Sequence, residues 1–523
     1  MAQVRAGPGV TVTAPANVQV TPRAAAQVTL AAAPGAPADR SALGQGLLAA
    51  GFTLVADFDL RPVTPSPLAA VAASAQPVTV SVDVAANEGA LLLLETPDGV
   101  FAWNYTASRQ KKAPQGLGIA SSSGPGAATL TFQLSPAPAA AGALALHLPD
   151  ISGSSILNWV VKKAIGAVRT RVLKFVIGKL EDLAVDHVEG KTVGGLTSLA
   201  SDDVNTWTPG GAPIPPAPAA GPRKILLMVH GTFSNTNDSY SDLLLTAEGK
   251  AFLASARAGY DAVLGFDHKT LGVGAAQNAA DMLAALEAAG LPQGSTIDAV
   301  AYSRGGLVYR AFAETLLAAQ RPDIKLGKAA FLACTNAGTH LAEPENWHNL
   351  VDLYTNIAMA AARVVGLLVG APVNPLVNQV IGIVGQFVQY LSVVAIDDRR
   401  VPGLADMEPS SDLVTALNTA PGGLDRLAQY FAITSNFEPT FDPAHGITHE
   451  LEQMLEDTVT DQLIGPMNDL VVDTPSMTTF GTRGPRLQPT DVFGFGTGEL
   501  VYHTTYFTAK ETPAALSKWL FGA

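Results

Sequence analysis

The 523-residue sequence has a single cysteine, Cys334. No disulfide can form within the chain, and a small buried hydrophobe is a better reading of Cys334 than a catalytic thiol. Charge is scarce at 15% of residues, and Lys and Arg are outnumbered 32 to 45 by Asp and Glu, giving a formal net charge of −13. Nucleic-acid binding needs a surplus of cations against phosphate, so no nucleic-acid partner is expected. Long clean apolar runs are also missing. The first residues, MAQVRAGPGVTVTAPANVQV, alternate polar with apolar and carry no signal-peptide core, so the chain reads as cytoplasmic. The greasiest stretch, within 341–402, contains Arg363, Pro372, Pro375, Asn378, Gln379, Gln386 and Gln389, and neither of its halves reaches the roughly 20 apolar residues that span a bilayer. What remains is a globular composition, 48% hydrophobic, long enough for two or three domains.

Residues 1–150 are poor in helix signals. The runs VTVSVDV (Val78 to Val84) and ATLTFQL (Ala128 to Leu134) alternate with a period of two, and ALLLLETPDGVFAWNY reads as a hairpin turning at Pro97, Asp98 and Gly99, so a small β-sandwich-like domain is expected. Residues 151–207 form a connector around an expected amphipathic helix, 154–180, with Ile156, Val160, Ile165, Val168, Val172, Val176 and Leu180 on its apolar face. Lys162, Lys163, Arg169, Arg171, Lys174 and Lys179 line its other side with no acid among them, which fits either a solvated face or a peripheral membrane contact. TPGGAPIPPAPAAGPR, 208–223, is a linker that can propagate neither helix nor central strand. From 224 to 523 strands alternate with helices, the pattern of an α/β domain with a mostly parallel sheet.

Three segments of that half carry chemistry. KILLMVHGTFSN is an apolar strand ending at His230-Gly231, and the loop after it can aim the Thr232 N–H at a developing oxyanion, with Gly231 admitting close approach. TIDAVAYSRGGLVYRAF reads as strand, turn and helix, and Ala301-Tyr302-Ser303-Arg304-Gly305-Gly306 has the small residues that a strained nucleophile elbow requires two before and two after its Ser. There the Arg304 N–H is the second oxyanion donor. The plainer alternative is a Ser N-cap, although two glycines in a first helical turn are costly for a helix that needs only a cap. His230, Gly231, Phe233, His268 and Tyr302 are expected to support the pocket. His445 and His449 lack the Glu of H-E-x-x-H, so no metal site is expected.

Through VHGTFSN, AYSRGG, FLACTNAGTHLA, NDLVV and a late His, residues 222 to 510 resemble the α/β-hydrolase superfamily, in the lipase and esterase branch that includes triacylglycerol lipases and PGAP-like esterases. The resemblance implies a Ser, acid, His order. GPMNDLVVDTPSM is similar to the acid loop of lipases, which makes Asp469 the acid, with Asp473 and Asp442 as rivals; of nine histidines only His503 follows Asp469. It implies an acyl-enzyme serine hydrolase acting on carboxylic esters without a cofactor, and a helical lid at about 341–402 favouring an apolar acyl group. Thioesters or amides would suit the same three residues, and a scaffold that binds a membrane or a protein is the non-enzymatic alternative.

Overall fold

Alternation of Val with Thr and Ser writes a sheet with one buried face, and the computed structural model shows it at Val10, Val12, Val78, Val80 and Val82, all buried. The structure describes residues 1–23, 38–63, 77–97, 99–106, 128–137, 145–147, 167–177, 189, 193–210, 221–369, 375–393, 401–419, 429–438, 464–482, 487–498 and 500–522. The chain divides into two units, one made of 1–184, 344–397 and 441–459, the other of 185–343, 398–440 and 460–523.

The first unit contains strands β1 (Ala2–Gly7), β2 (Val10–Ala14), β3 (Val18–Pro22), β4 (Thr53–Pro62), β5 (Val78–Val84), β6 (Glu88–Glu95), β7 (Phe101–Asn104), β8 (Ala128–Ala137), β9 (Ala145–His147) and β10 (Val168–Val176). They form two antiparallel five-stranded sheets, β1-β2-β5-β8-β9 and β3-β4-β10-β6-β7. β6 and β7 make the hairpin read from the sequence, with Gly99 at φ 82° in the turn; Asp98 lies outside the described residues.

The helix expected over 154–180 does not include residues 168–176, which form a strand. Residues 154–166 lie outside the described residues, and Val168–Val176 is a central strand between β4 and β6. Val168 and Val172 stand on one helical stripe, and with Thr170 between them they stand equally on one strand face; β-branched residues favour the pleated choice. Leu173 and Phe175, on the opposite face of the strand, are buried as well. The cations find acids on neighbouring strands: Arg169 on Asp57, Arg171 on Glu95 and Lys174 on Glu88. The sequence-local absence of acids thus does not leave these three cations as a membrane-facing basic stripe.

The apolar insertion belongs to this unit as well. Helices Ala38–Ala49, Trp347–Val369 and Pro375–Val393 pack on one another and on β6 and β7, which explains why β6 reads ALLLL without alternation: both of its faces are covered. Asp352 and Asn356 accept the N–H groups of Trp103 and Phe101 at 2.9 and 2.8 Å, closing the free edge of β7. The helices expected as a lid are therefore a layer over the second sheet. No helix among the described residues is long and apolar enough to cross a membrane.

In the second unit, β11 (Gly195–Ser198), β12 (Lys224–Val229), β13 (Ala262–Asp267), β14 (Thr296–Tyr302), β15 (Lys325–Leu332), β16 (Gln429–Phe437) and β17 (Val492–Gly498) form one sheet in the order β11-β13-β12-β14-β15-β16-β17, with only β11 antiparallel. β11 lies before the expected start at 224, and Gly210 N–H bonds Leu196 O at 3.1 Å, so the linker begins inside this unit. Leu226, Met228, Val300 and Leu332 pack with Phe252, Leu253, Leu516 and Trp519 of helices Ala247–Gly259 and Glu511–Phe521.

Candidate active site

The strand order reverses between β12 and β14: the chain leaves β12 for β13 on one side and returns to β14 on the other. A crevice opens at the carboxyl ends of two such strands. Gly231 and Ser303 follow those two ends.

Ser303 has φ 54°, a left-handed conformation that costs a non-glycine residue strain and persists only where its surroundings impose it. Its N–H donates to Leu332 O at 2.9 Å, and helix Gly305–Ala311 starts two residues on. The glycines are required by close approach. A methyl group on Gly305 would lie 2.2 Å from Val229 O, and one on Gly306 would lie 2.7 Å from the Cys334 side chain. Burial pushes the Cys334 thiol far up, so it stays protonated.

Ser303 Oγ lies 3.0 Å from His503 Nε2, and His503 Nδ1 lies 2.9 Å from Asp469 Oδ2. The sequence-predicted Ser, His and Asp thus form one hydrogen-bonded chain, the first two standing 200 positions apart in the sequence. The two loops are tied by their backbones: His503 N–H donates to Asp469 O at 2.9 Å, and the Tyr302 hydroxyl donates to His503 O. Asp469 Oδ1 accepts from the N–H groups of Val471 and Val472 at 3.1 and 2.9 Å. Of the rivals, Asp473 caps the short helix Thr474–Met477 through Ser476 N–H, whereas Asp442, His445 and His449 lie outside the described residues.

The backbone N–H groups of Thr232 and Arg304 have no acceptor among the described residues. The Thr232 hydroxyl is 3.5 Å from Met407 Sδ. The Arg304 guanidinium is fully buried and held by Gly403 O and Val273 O at 3.1 and 2.6 Å; burial lowers its pKa to about 10, with Asp406 and Glu189 opposing. His230 and His268 stack at 4.0 Å, His268 N–H donating to His230 Nε2. Both are held below the usual imidazole range by burial, so they stay neutral, and among the described residues neither is hydrogen-bonded to Ser303. Phe233, at φ 56°, donates its N–H to Thr270 Oγ1 at 3.2 Å.

Several contributors were missed by sequence reasoning. Glu189 accepts from Thr270 N–H and O–H and from the N–H groups of Leu271 and Gly272, anchoring the loop that holds Phe233. Tyr506 O–H donates to Asp469 Oδ2 at 3.2 Å, and Leu470 takes φ 84° in the acid loop. Neither Glu189 nor Tyr506 sits in a motif. A tyrosine three residues after His503 was the only signal available for Tyr506. Among the described residues no group of three or more His, Cys, Asp or Glu is arranged to hold a metal ion.

Residues 194–521 match the family model described as a domain of unknown function, DUF7379, and residues 7–175 match a second such domain, DUF7362. No curated protein matches the chain. Among solved structures, phospholipase PlaB from Legionella pneumophila aligns at 13% identity with a TM-score of 0.27, over 49% of this chain and 46% of that one. The chain thus spans about half the length of that phospholipase.

Proposed function

The chain belongs to the DUF7379 family, and from the geometry of Ser303, His503 and Asp469 we propose that it is a serine hydrolase that cleaves carboxylic esters through an acyl-enzyme. The observation that carries the reading is the hydrogen-bonded chain from Ser303 Oγ through both ring nitrogens of His503 to Asp469 Oδ2, built on a serine at positive φ. The sheet order, its one antiparallel strand and the serine between β14 and a helix support reading the second unit as an α/β-hydrolase fold.

A hydroxyl is a weak nucleophile until a neutral imidazole accepts its proton. In this reading His503 Nε2 takes the Ser303 proton as Oγ bonds to the ester carbonyl carbon, and Asp469 fixes the tautomer and stabilises the imidazolium. The N–H groups of Thr232 and Arg304 hold the tetrahedral oxyanion, each contributing a few kcal/mol. Collapse expels the alcohol, which takes the proton from His503. Water then adds to the acyl carbon with His503 again accepting a proton, and release of the acid restores Ser303. Ser303 keeps 2% of its surface exposed. With the apolar insertion built into the other unit, the proposal covers the ester bond and not the acyl length.

A fluorophosphonate probe tests the reading. Labelling of the wild type and loss of label in Ser303→Ala are expected; a wild type that resists labelling while folded sinks it. Rates on para-nitrophenyl esters, acyl thioesters and anilides order the three bond types.

A further inference from the structure

Asp469 carries four donors on two oxygens. Oδ1 takes two backbone N–H groups of its own loop, while Oδ2, the oxygen that faces His503, also receives the Tyr506 hydroxyl at 3.2 Å. Tyr506 Oη in turn lies 2.8 Å from Ser435 Oγ, on β16. A phenol has one proton, and an ionised carboxylate is a stronger acceptor than a neutral hydroxyl, so that proton belongs on Oδ2 and Ser435 donates to Tyr506. Tyr506 is fully buried and Ser435 is 2% exposed, so solvent does not compete for these bonds.

We infer that Tyr506, oriented by Ser435, is a positioning residue that draws negative charge off Asp469 Oδ2 and so limits how strongly the carboxylate stabilises a protonated His503. The chain of hydrogen bonds then runs through five side chains, Ser435, Tyr506, Asp469, His503 and Ser303. Burial, together with the Asp469 charge, holds the Tyr506 phenol far above its usual range, so it remains a donor wherever an esterase works. The other ionisable groups around the set are Tyr302, whose ring lies 5.4 Å from that of His503; Asp473, which faces Asp469 and is itself faced by His340; and Tyr502, faced by Asp242. A Tyr506→Phe change leaves all of them in place.

The inference rests on the hydrolytic reading of Ser303, His503 and Asp469, and two readouts keep the failures apart. Titration of the His503 imidazole, followed by NMR in protein labelled at histidine and assigned with His503→Gln, reads the effect of Tyr506 whether or not the enzyme turns over. The acid limb of kcat/KM on a para-nitrophenyl ester reads it through catalysis. In Tyr506→Phe the His503 midpoint is expected to rise by about half a unit to one unit, because the remaining carboxylate charge binds imidazolium more tightly. The acid limb should follow, with kcat down about 3- to 10-fold and KM unchanged. Ser435→Ala, which keeps the phenol but frees it to rotate, should move the midpoint the same way by less, and decides the matter if Tyr506→Phe does not fold. A midpoint that stays put in the folded variants, or moves down, overturns the inference. A wild type that neither hydrolyses esters nor takes the fluorophosphonate, yet shows the NMR shift, overturns the function and leaves the Tyr506 coupling standing.

Discussion

Gly231 packs directly against Ser303: a methyl group at position 231 would lie 2.6 Å from the serine Cβ and 3.1 Å from its Oγ. Close approach, not turn geometry, is what this glycine supplies. Gly231→Ala presses on the serine Cβ, which side-chain rotation cannot move, so it should shift the nucleophile and lower kcat/KM about 100-fold, at a smaller cost in stability than the deeper overlap at Gly305. Gly305→Ala meets the Val229 carbonyl at 2.2 Å, which cannot rotate away, so it should cost stability, about 3 kcal/mol. Thermal melts beside rates separate the two, and equal losses of stability would contradict the contrast.

Asp469 and Asp473 are four residues apart and only one touches His503. Asp469→Asn should keep the loop, since its Oδ1 bonds to backbone N–H groups survive, yet lower kcat by about three to four orders of magnitude through the wrong imidazole tautomer. Asp473→Asn should change kcat less than about 10-fold, because it loses part of a cap. The reverse ranking would move the acid to Asp473.

Arg310 and Glu314 form a wholly buried ion pair, and Arg310 also bonds the carbonyls of Asn336, Leu417 and Phe480. Arg310→Met leaves a carboxylate and three carbonyls without their cation, at an expected cost of about 3–5 kcal/mol. Denaturant unfolding measures it, and a loss below about 1 kcal/mol would show that the site relaxes.

Asp352 in the first unit is held well above the usual carboxylate range by burial, against the Trp103 N–H that lowers it. The folded form thus keeps a proton that the unfolded chain gives up above pH of about 4, so stability is present at low pH and drains as pH rises, by up to about 1.4 kcal/mol per pH unit. Asp352→Asn still accepts from Trp103 and removes that drain. Its melting temperature relative to wild type should climb between pH 5 and pH 8, and a difference that is flat with pH would refute the assignment.

Much of the site is legible because it depends on local backbone chemistry. Only small residues fit where β14, its turn and the next helix nearly touch β12, and Gly305 and Gly306 announce that contact on either reading of the serine. His503 is legible because the Ser, acid, His order that the resemblance implies leaves it as the one histidine after Asp469. Tyr506 and Glu189 are not, since a tyrosine or glutamate looks the same in any loop until folding brings Asp469 or the 270–272 backbone to it.

The first unit shows the opposite case. Val168, Val172 and Val176 satisfy a helical stripe and a strand face alike, and the acids that neutralise Arg169, Arg171 and Lys174 are 76 to 112 residues away. The insertion reads as greasy helices, but hydrophobicity is non-directional and does not say which surface it covers. Short-range sterics and periodicity therefore settled, from the amino acids alone, where the chain would turn tightly at Ser303 and which half of it would be α/β. Which strand Val168–Val176 would join, what the apolar helices would cover and which groups would meet at Asp469 were decided by tertiary packing, because each depends on partners that only the fold brings together.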